Sequence, residues 1–564
     1  MYKKWICHKT DLAKAQEISK KFNISMLVSK ILVNRGIIEE DEINVFLSPK
    51  RNDLHNPFLL QDIEIAVNKI IEAIDEKNKI TIYGDYDVDG ITSIVVLKRF
   101  LKDIGIEADT YMPNRLEEGY GLNKKALERI VSLGCDILIT VDCGISAIEE
   151  VKYAKELGLE VIITDHHETL DELPKDAISV INPKRKDNKY PFTQLAGVGV
   201  VFKLIQAISK KLELEDKTFL KYLDLVCLGT IADIVPLVNE NRVITKLGLK
   251  LLEVTKNPGL RALIQVSDFK KIDSITVSFG LAPRINACGR MGFEQEALKL
   301  FLTDSYDEAM TIAMELNKYN RERQSIERRI YEDVVEIIET DKLDKEDVII
   351  IGKENWHHGV IGIVASKISE IYFKPTVLIC FEGEKGKGSG RSIPGFDLHS
   401  ALCECGEYLE KYGGHEMAIG LSLNKNNFDN FKEKFRHIAH DNNVSAILPV
   451  VNVDEYINAE DISIDNINQI QLLQPFGDAN PMPLYVYRNL KVDSIRTLSE
   501  ERHIKLTVKD GNNIFDAIGF GLGKRAEEIN LGDKIDILMN LDVNYYNGTS
   551  KVQLMIKDII KSYM

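Results

Sequence analysis

Between Lys79 and about Asn182, short apolar runs alternate with stretches of helical periodicity. Lys79–Gly84 (KITIYG), Asp136–Val141 (DILITV) and Glu160–Thr164 (EVIIT) are too short for helices and rich in β-branched residues, which predicts buried strands. Gly90–Phe100 follows the first run and reads as a helix. Strands of this kind alternating with helices form βαβ units and a parallel sheet covered on both faces. Helical periodicity then dominates from Gly197 to about Val254. From Asp304 to about Thr340 the chain is charge-laced and free of Pro and Gly, the pattern of a rigid connecting helix.

A second α/β block opens at Val348 (VIIIG), continues through a helix around Gly359–Glu370, a strand at Thr376–Phe381 and a Gly-rich stretch at Gly383–Arg391, and ends near Asn443. From Ser445 to Met564 the period changes to two. Alternating runs at Leu484–Tyr487, Ile504–Val508 and Ile535–Leu541 are separated by turn signals such as Asp510-Gly511 and Asn547-Gly548, which predicts a small all-β unit, a five-stranded barrel. The expected organisation is α/β: an N-terminal helical segment (1–60) packing on the core, a parallel-sheet domain (61–303), a connecting helix (304–340), a second α/β domain (341–444) and a barrel (445–564).

Charge changes this picture in one respect. A net charge of −15 and a pI near 5.4 exclude a protein that coats nucleic acid by bulk attraction, but not an enzyme with a local basic groove. The eight cysteines are scattered without a Cys-x-x-Cys pair and are expected to be reduced structural thiols. No apolar run approaches the ~20 residues of a membrane helix, and Met1–Lys9 has no apolar signal core, so a cytoplasmic protein without membrane association is expected.

The strongest chemical signal is Gly84-Asp85-Tyr86-Asp87-Val88-Asp89-Gly90, between a buried strand and a helix. Carboxylates so close repel one another, and a hard cation such as Mg²⁺ or Mn²⁺ relieves that repulsion. Asp142 and Asp165 also follow strands, and in open α/β sheets ligands sit beyond the strands' carboxyl ends. His166 and His167 add imidazoles, and Asp233 ends an apolar run. A single Asp at a strand end is ordinarily a cap or turn residue, and a lone DxDxD could be a calcium loop, although the later Glu of that pattern is missing. The combined set points to a metal site.

These residues carry a resemblance. GDYDVDG (84–90), VDCG around Asp142, TDHH (164–167), GTIADIVPL (229–237), APRINACGRMG (282–292), HHGVIGIVASK (357–367), GSGRS (388–392) and YGGHEMAIGL (412–421) resemble RecJ-type single-strand-specific exonucleases of the DHH phosphoesterase superfamily. Val88 departs from many relatives, which carry a smaller residue there; in an extended segment it would alternate away from the acids. The resemblance implies a DHH domain joined by the long helix to a DHHA1 domain across a cleft, with an OB-like barrel.

It also implies two divalent cations, Mn²⁺ or Mg²⁺, that activate a water, with Asp85, Asp87, Asp89, Asp142, His166 and Asp233 as ligands and Asp87, Asp142 or both between the ions. Asp87, Asp89, Asp142, His166 and His167 would carry catalysis, with His167 on the phosphate. Asp165 would orient an imidazole, or else bind metal itself. Substrate contacts are implied for Arg284, Asn286, Arg290, Ser389, Arg391, Ser392 and His415, with the Gly-rich backbone around Ser389, Arg391 and Ser392 expected to approach a phosphate closely, whereas His357 and His358 read equally as capping or packing residues or as functional ones. The implied partners are single-stranded DNA, a helicase and a single-strand-binding protein. The implied reaction proceeds from the 5′ end, releasing mononucleotides, in repair and recombination. Two alternatives share the motifs: a phosphodiesterase of short oligoribonucleotides or cyclic dinucleotides, and a non-catalytic replication subunit, against which the complete acid set counts. A pyrophosphatase or polyphosphatase is a further possibility from the metal site alone.

Overall fold

The computed structural model describes residues 3–7, 9–114, 118–119, 121–546 and 549–562. The turn expected at Asn547-Gly548 lies outside the described residues.

The first α/β domain is built on five parallel strands in the spatial order Ala108–Tyr111, Ile80–Gly84, Ile137–Val141, Glu160–Thr164 and Ser179–Ile181. Strands 80–84 and 137–141 are buried along their whole length, as expected for a sheet covered on both faces. The order of connection reverses between Ile80–Gly84 and Ile137–Val141, so their carboxyl ends flank the switch point where such folds bind ligands. The helix expected from Gly90 begins earlier and spans Val88–Asp103. Val88 is therefore the first helical residue, buried in the core, and not part of an extended segment.

The connecting helix runs from Tyr306 to Asp341. Its Leu316 side closes the core of the first domain, and Ile330, Val334 and Ile338 pack into the second. The second domain has a mixed sheet ordered Lys411–His415, Ala418–Asn424, Lys385–Arg391, Thr376–Glu382 and Ile349–Glu354. At the C-terminus, five strands close into a barrel, Tyr485–Leu498 pairing with both His503–Asp510 and Lys534–Tyr546.

The N-terminal helices pack chiefly on the barrel. Their apolar residues Leu27, Ile31 and Phe46 share a core with barrel residues such as Tyr485 and Ile537, instead of joining the core of the first domain. Three helices of 8 to 11 residues cannot bury their apolar stripes alone, and the barrel supplies the missing surface. Their link to the first domain is polar. The buried Arg242 guanidinium donates to the carbonyls of Phe46 (2.6 Å) and Gln474 (2.8 Å), and Lys203 donates to His55 O and Glu240 Oε1 (2.7 Å each).

Candidate active site

Strand ends and helix starts bring the predicted acids together. Asp85 and Asp142 lie just beyond neighbouring strands, and with Asp87 they offer ligand atoms within 4.8 Å of one another. The same span holds for Asp89, His166 and Asp233, and for Asp142, His166 and His167. His166 Nε2 lies 3.1 Å from Asp142 Oδ1, 3.6 Å from Asp233 Oδ2 and 3.9 Å from Asp89 Oδ2. It is nonetheless a buried atom that makes no hydrogen bond among the described residues. An orphaned imidazole nitrogen facing three carboxylates is costly unless a cation completes the arrangement, so the donor set fits divalent ions preferring oxygen with one nitrogen.

Local backbone explains the convergence. Asp87 caps the Val88–Asp103 helix, accepting from Gly90 N at 3.0 Å, so one residue serves as both cap and site acid. Gly90 passes so close to the Asp85 carbonyl that any Cβ would collide with it. Asp142 turns the chain sharply with φ of 59°. Asp89 is anchored by a feature the sequence reading passed over: the amides of Gly197 and Val198, opening the Gly197–Lys211 helix, donate to its two oxygens at 2.6 and 2.8 Å. The signal was available in Leu195-Ala196-Gly197-Val198-Gly199, a small-residue entry to a helix without a side-chain cap, hence with amides ready for an anion.

Asp165 stands behind this cluster. Its oxygens accept from the amides of Ile145 (2.9 Å), His166 (2.7 Å) and His167 (3.1 Å), and from the His167 ring at 2.7 Å. The imidazole it orients is thus His167. Burial alone would raise the Asp165 pKa, but the His167 hydrogen bond and charge and these amides hold it below the usual range. Despite burial, Asp165 correspondingly raises that of His167.

The other groups are poised for a cation. Burial, then the charge of Asp87, pushes Asp89 up to about 7. Burial with Asp89 and Asp87 pushes Asp233 to about 9, and burial with Asp89 raises Asp142 well above an ordinary carboxyl. Burial and the neighbouring His167 lower His166 to about 3, which leaves its imidazole neutral, the form that binds metal.

The substrate residues fall into two groups. Arg284, Asn286 and Arg290 lie on the Ala282–Met291 helix, which packs by Gly289 against Tyr86 and through Arg290 Nη1 onto Gly359 O (3.1 Å) of the second domain. Arg284 donates to Asn317 Oδ1 (3.0 Å) and Gly280 O (2.6 Å). Ser389 and Arg391 meet the His358–Tyr372 helix at Gly362, with Arg391 Nη1 3.1 Å from Ser389 Oγ. Burial lowers the pKa of both Arg284 and Arg391, and neither has a carboxylate partner among the described residues.

Two expectations change. Gly383–Arg391 is not an open phosphate-approaching stretch: Lys385–Arg391 is an inner strand, and a Cβ on Gly386, Gly388 or Gly390 would strike Phe381, Ile379, Leu421 or Ile419. These glycines serve packing. Ser392 is buried and its hydroxyl donates to Phe396 O at 2.7 Å, so it is engaged in a turn and less open to substrate than expected. His357 caps its helix by accepting from Gly359 N at 3.2 Å, which realises the capping reading. His415 is exposed on the edge strand Lys411–His415 and stands apart from the acid cluster's ligand groups.

Comparison with known proteins agrees with this geometry. Residues 79–230 match the DHH family N-terminal domain, 345–441 the DHHA1 domain and 453–558 the RecJ OB domain. The fold and site thus define a protein of the DHH class. The single-stranded-DNA-specific exonuclease RecJ of Bacillus subtilis is 39% identical over 98% of this chain and 70% of its own length. That of Salmonella typhimurium is 34% identical over 89% of this chain and 90% of its own. A crystal structure of RecJ with Mn²⁺ from Thermus thermophilus superposes with a TM-score of 0.85 at 28% identity, covering all of this chain and 80% of that one. The chain belongs to the RecJ family.

Proposed function

We propose that this protein is an exonuclease specific for single-stranded DNA that hydrolyses phosphodiester bonds with two divalent cations. The observation that carries this reading is the convergence of Asp89, Asp142 and Asp233 on the unsatisfied Nε2 of His166, beside Asp85 and Asp87. Asp85, Asp87, Asp89, Asp142, His166 and Asp233 would hold Mn²⁺ or Mg²⁺. Ions bound there supply Lewis acidity to the scissile phosphate and to an attacking water.

The chain's own residues do the rest. Gly197 and Val198 hold the Asp89 carboxylate still. Asp165 orients His167 and favours its cationic form, which suits contact with a phosphate oxygen. Arg284 and Arg391, half-buried and without carboxylate partners among the described residues, present planar forks to backbone phosphates; Asn286, Arg290 and Ser389 line the same approach. His415 would touch the strand from the edge of the second domain. Family membership supports action from the 5′ end, release of 5′-mononucleotides and a repair and recombination role; a cytoplasmic location and helicase and single-strand-binding partners are part of the same proposal. The relatives' single-strand specificity and the long connecting helix favour a polymeric substrate over dinucleotides.

The test uses Mn²⁺ and a long single strand labelled at its 3′ end, beside the same sequence as blunt duplex, with Asp87→Ala and Asp142→Ala in parallel. Progressive shortening of the single strand alone, with the label retained and activity lost in both variants, is expected. Binding without cleavage would overturn the proposal, and cleavage confined to dinucleotides would move it to a small-substrate phosphodiesterase.

A further inference from the structure

The segment that follows Asp233 is held by the C-terminal module. Asp233 ends the Leu223–Ala232 helix, and the next residue, Ile234, adopts a φ of 60°. A β-branched residue is strained there, and Ile234 is 72% exposed, so packing of its own side chain does not impose the conformation. The restraint lies further along. The buried Leu237 donates its amide to the Asp478 carbonyl at 2.9 Å. Gly477 approaches so closely that a Cβ on it would sit 2.5 Å from Leu237 Cδ1 and 3.0 Å from Cγ.

The loop that makes these contacts is itself braced. Asn480 Nδ2 donates to the carbonyls of Leu473 (2.8 Å) and Pro475 (2.7 Å), while Arg35 donates to Asn480 Oδ1 at 2.6 Å. Phe476 lies in the core shared by the barrel and the N-terminal helices. On the other side, Asn241 Nδ2 donates to Pro236 O at 3.0 Å and ties the segment to its own domain. Asp233–Leu237 is thus stretched between a helix end and a rigid loop belonging to another core.

We infer that Gly477 and Leu237 form a positioning clamp through which the C-terminal module keeps the Asp233 carboxylate turned toward His166, and so sets the affinity of the centre for divalent cations. The inference rests on the reading of Asp233 as a metal ligand. Held this way, Asp233 is restrained from outside the first domain, so the module would tune metal affinity without being needed for binding itself. Groups that orient ligands without touching metal commonly govern affinity by about ten- to a hundredfold.

The experiment measures Mn²⁺ binding to the full chain without DNA, by the electron paramagnetic resonance signal of free Mn²⁺, alongside melting in EDTA. Gly477→Ala is expected to weaken Mn²⁺ binding about tenfold. Removing the side chain it strikes, in Gly477→Ala/Leu237→Ala, should bring affinity back toward that of the parent. Asp233→Asn should weaken binding whatever the state of the clamp. Unchanged affinity in Gly477→Ala with weakened binding in Asp233→Asn overturns the clamp and leaves the metal reading intact. Unchanged affinity in Asp233→Asn removes the metal reading and the clamp with it. A Gly477→Ala protein that melts early in EDTA and is not rescued by Leu237→Ala would show the loop to be only a docking element, which also overturns the clamp.

Discussion

Gly197→Ala perturbs the packing that holds Asp89 and Asp142 in place without replacing either carboxylate. A Cβ at this position would lie 2.5 Å from Asp142 Oδ1 and 2.8 Å from its Cγ, so either Asp142 or the start of the Gly197–Lys211 helix must move. The helix start carries the amides that hold Asp89 at 2.6 and 2.8 Å. A hydrogen bond to a charged group contributes roughly 1.5–3 kcal/mol. Losing the equivalent of one of the two costs about 2 kcal/mol in holding the carboxylate, which at about 1.4 kcal/mol per tenfold is a factor of roughly 30. Ala itself suits the first turn of a helix better than Gly by roughly 0.5–1 kcal/mol, so the fold should not weaken for conformational reasons. Titration with Mn²⁺, followed by calorimetry and by exonuclease rate, should show affinity lowered by about ten- to a hundredfold with melting in EDTA changed little. Parent-like Mn²⁺ affinity would refute the argument that the helix amides preorganise Asp89.

Other consequences can be checked alongside. Asp89 and Asp233 have folded pKa values of about 7 and 9, above the ~3.9 of an unfolded Asp, so the metal-free protein binds extra protons and loses that stability as pH rises through 7 to 9. His166, lowered to about 3, opposes this only below its unfolded value near 6.5. The rise in Tm caused by Mn²⁺ should therefore grow between about pH 6.5 and 9, and a flat profile would count against the buried carboxylates being protonated. Arg242→Met leaves the carbonyls of Phe46 and Gln474 without their donor, and at roughly 1–3 kcal/mol per unsatisfied group should cost about 3 kcal/mol in urea unfolding; a loss below about 1 kcal/mol would show those carbonyls resolvated. Arg391→Lys removes a planar fork, and steady-state kinetics on single strands should show a raised KM with kcat changed less.

Much of this protein was legible in the linear chain because period and chemistry are local. Buried runs such as Ile137–Val141 and Glu160–Thr164 announce strands, and acids directly after them announce a site, since the carboxyl ends of parallel strands share one edge of the sheet. The connecting helix could be read from an unbroken stretch without Pro or Gly, and the barrel from its alternation. The glycines at 386, 388 and 390 were misread, because a glycine that lets a phosphate approach and one that makes room for Ile379, Leu421 or Ile419 are the same letter. The partner of the N-terminal helices was left open for a similar reason: an apolar stripe states that it must be buried, not against which core.

The sequence by itself determined the elements, the acid set and the chemistry those acids can support, because side-chain type and short-range spacing suffice for each. Only the tertiary structure decided that Asp165 serves His167 while Asp89 is held by the amides of residues 197 and 198, that Ser392 is spent on a turn, and that the loop at Gly477 bears on the segment after Asp233. Each of those facts is a hydrogen bond or a close approach between atoms, and those of Asp89 and Gly477 join residues far apart along the chain. Such contacts depend on how the domains dock, and docking leaves no periodic trace in the sequence.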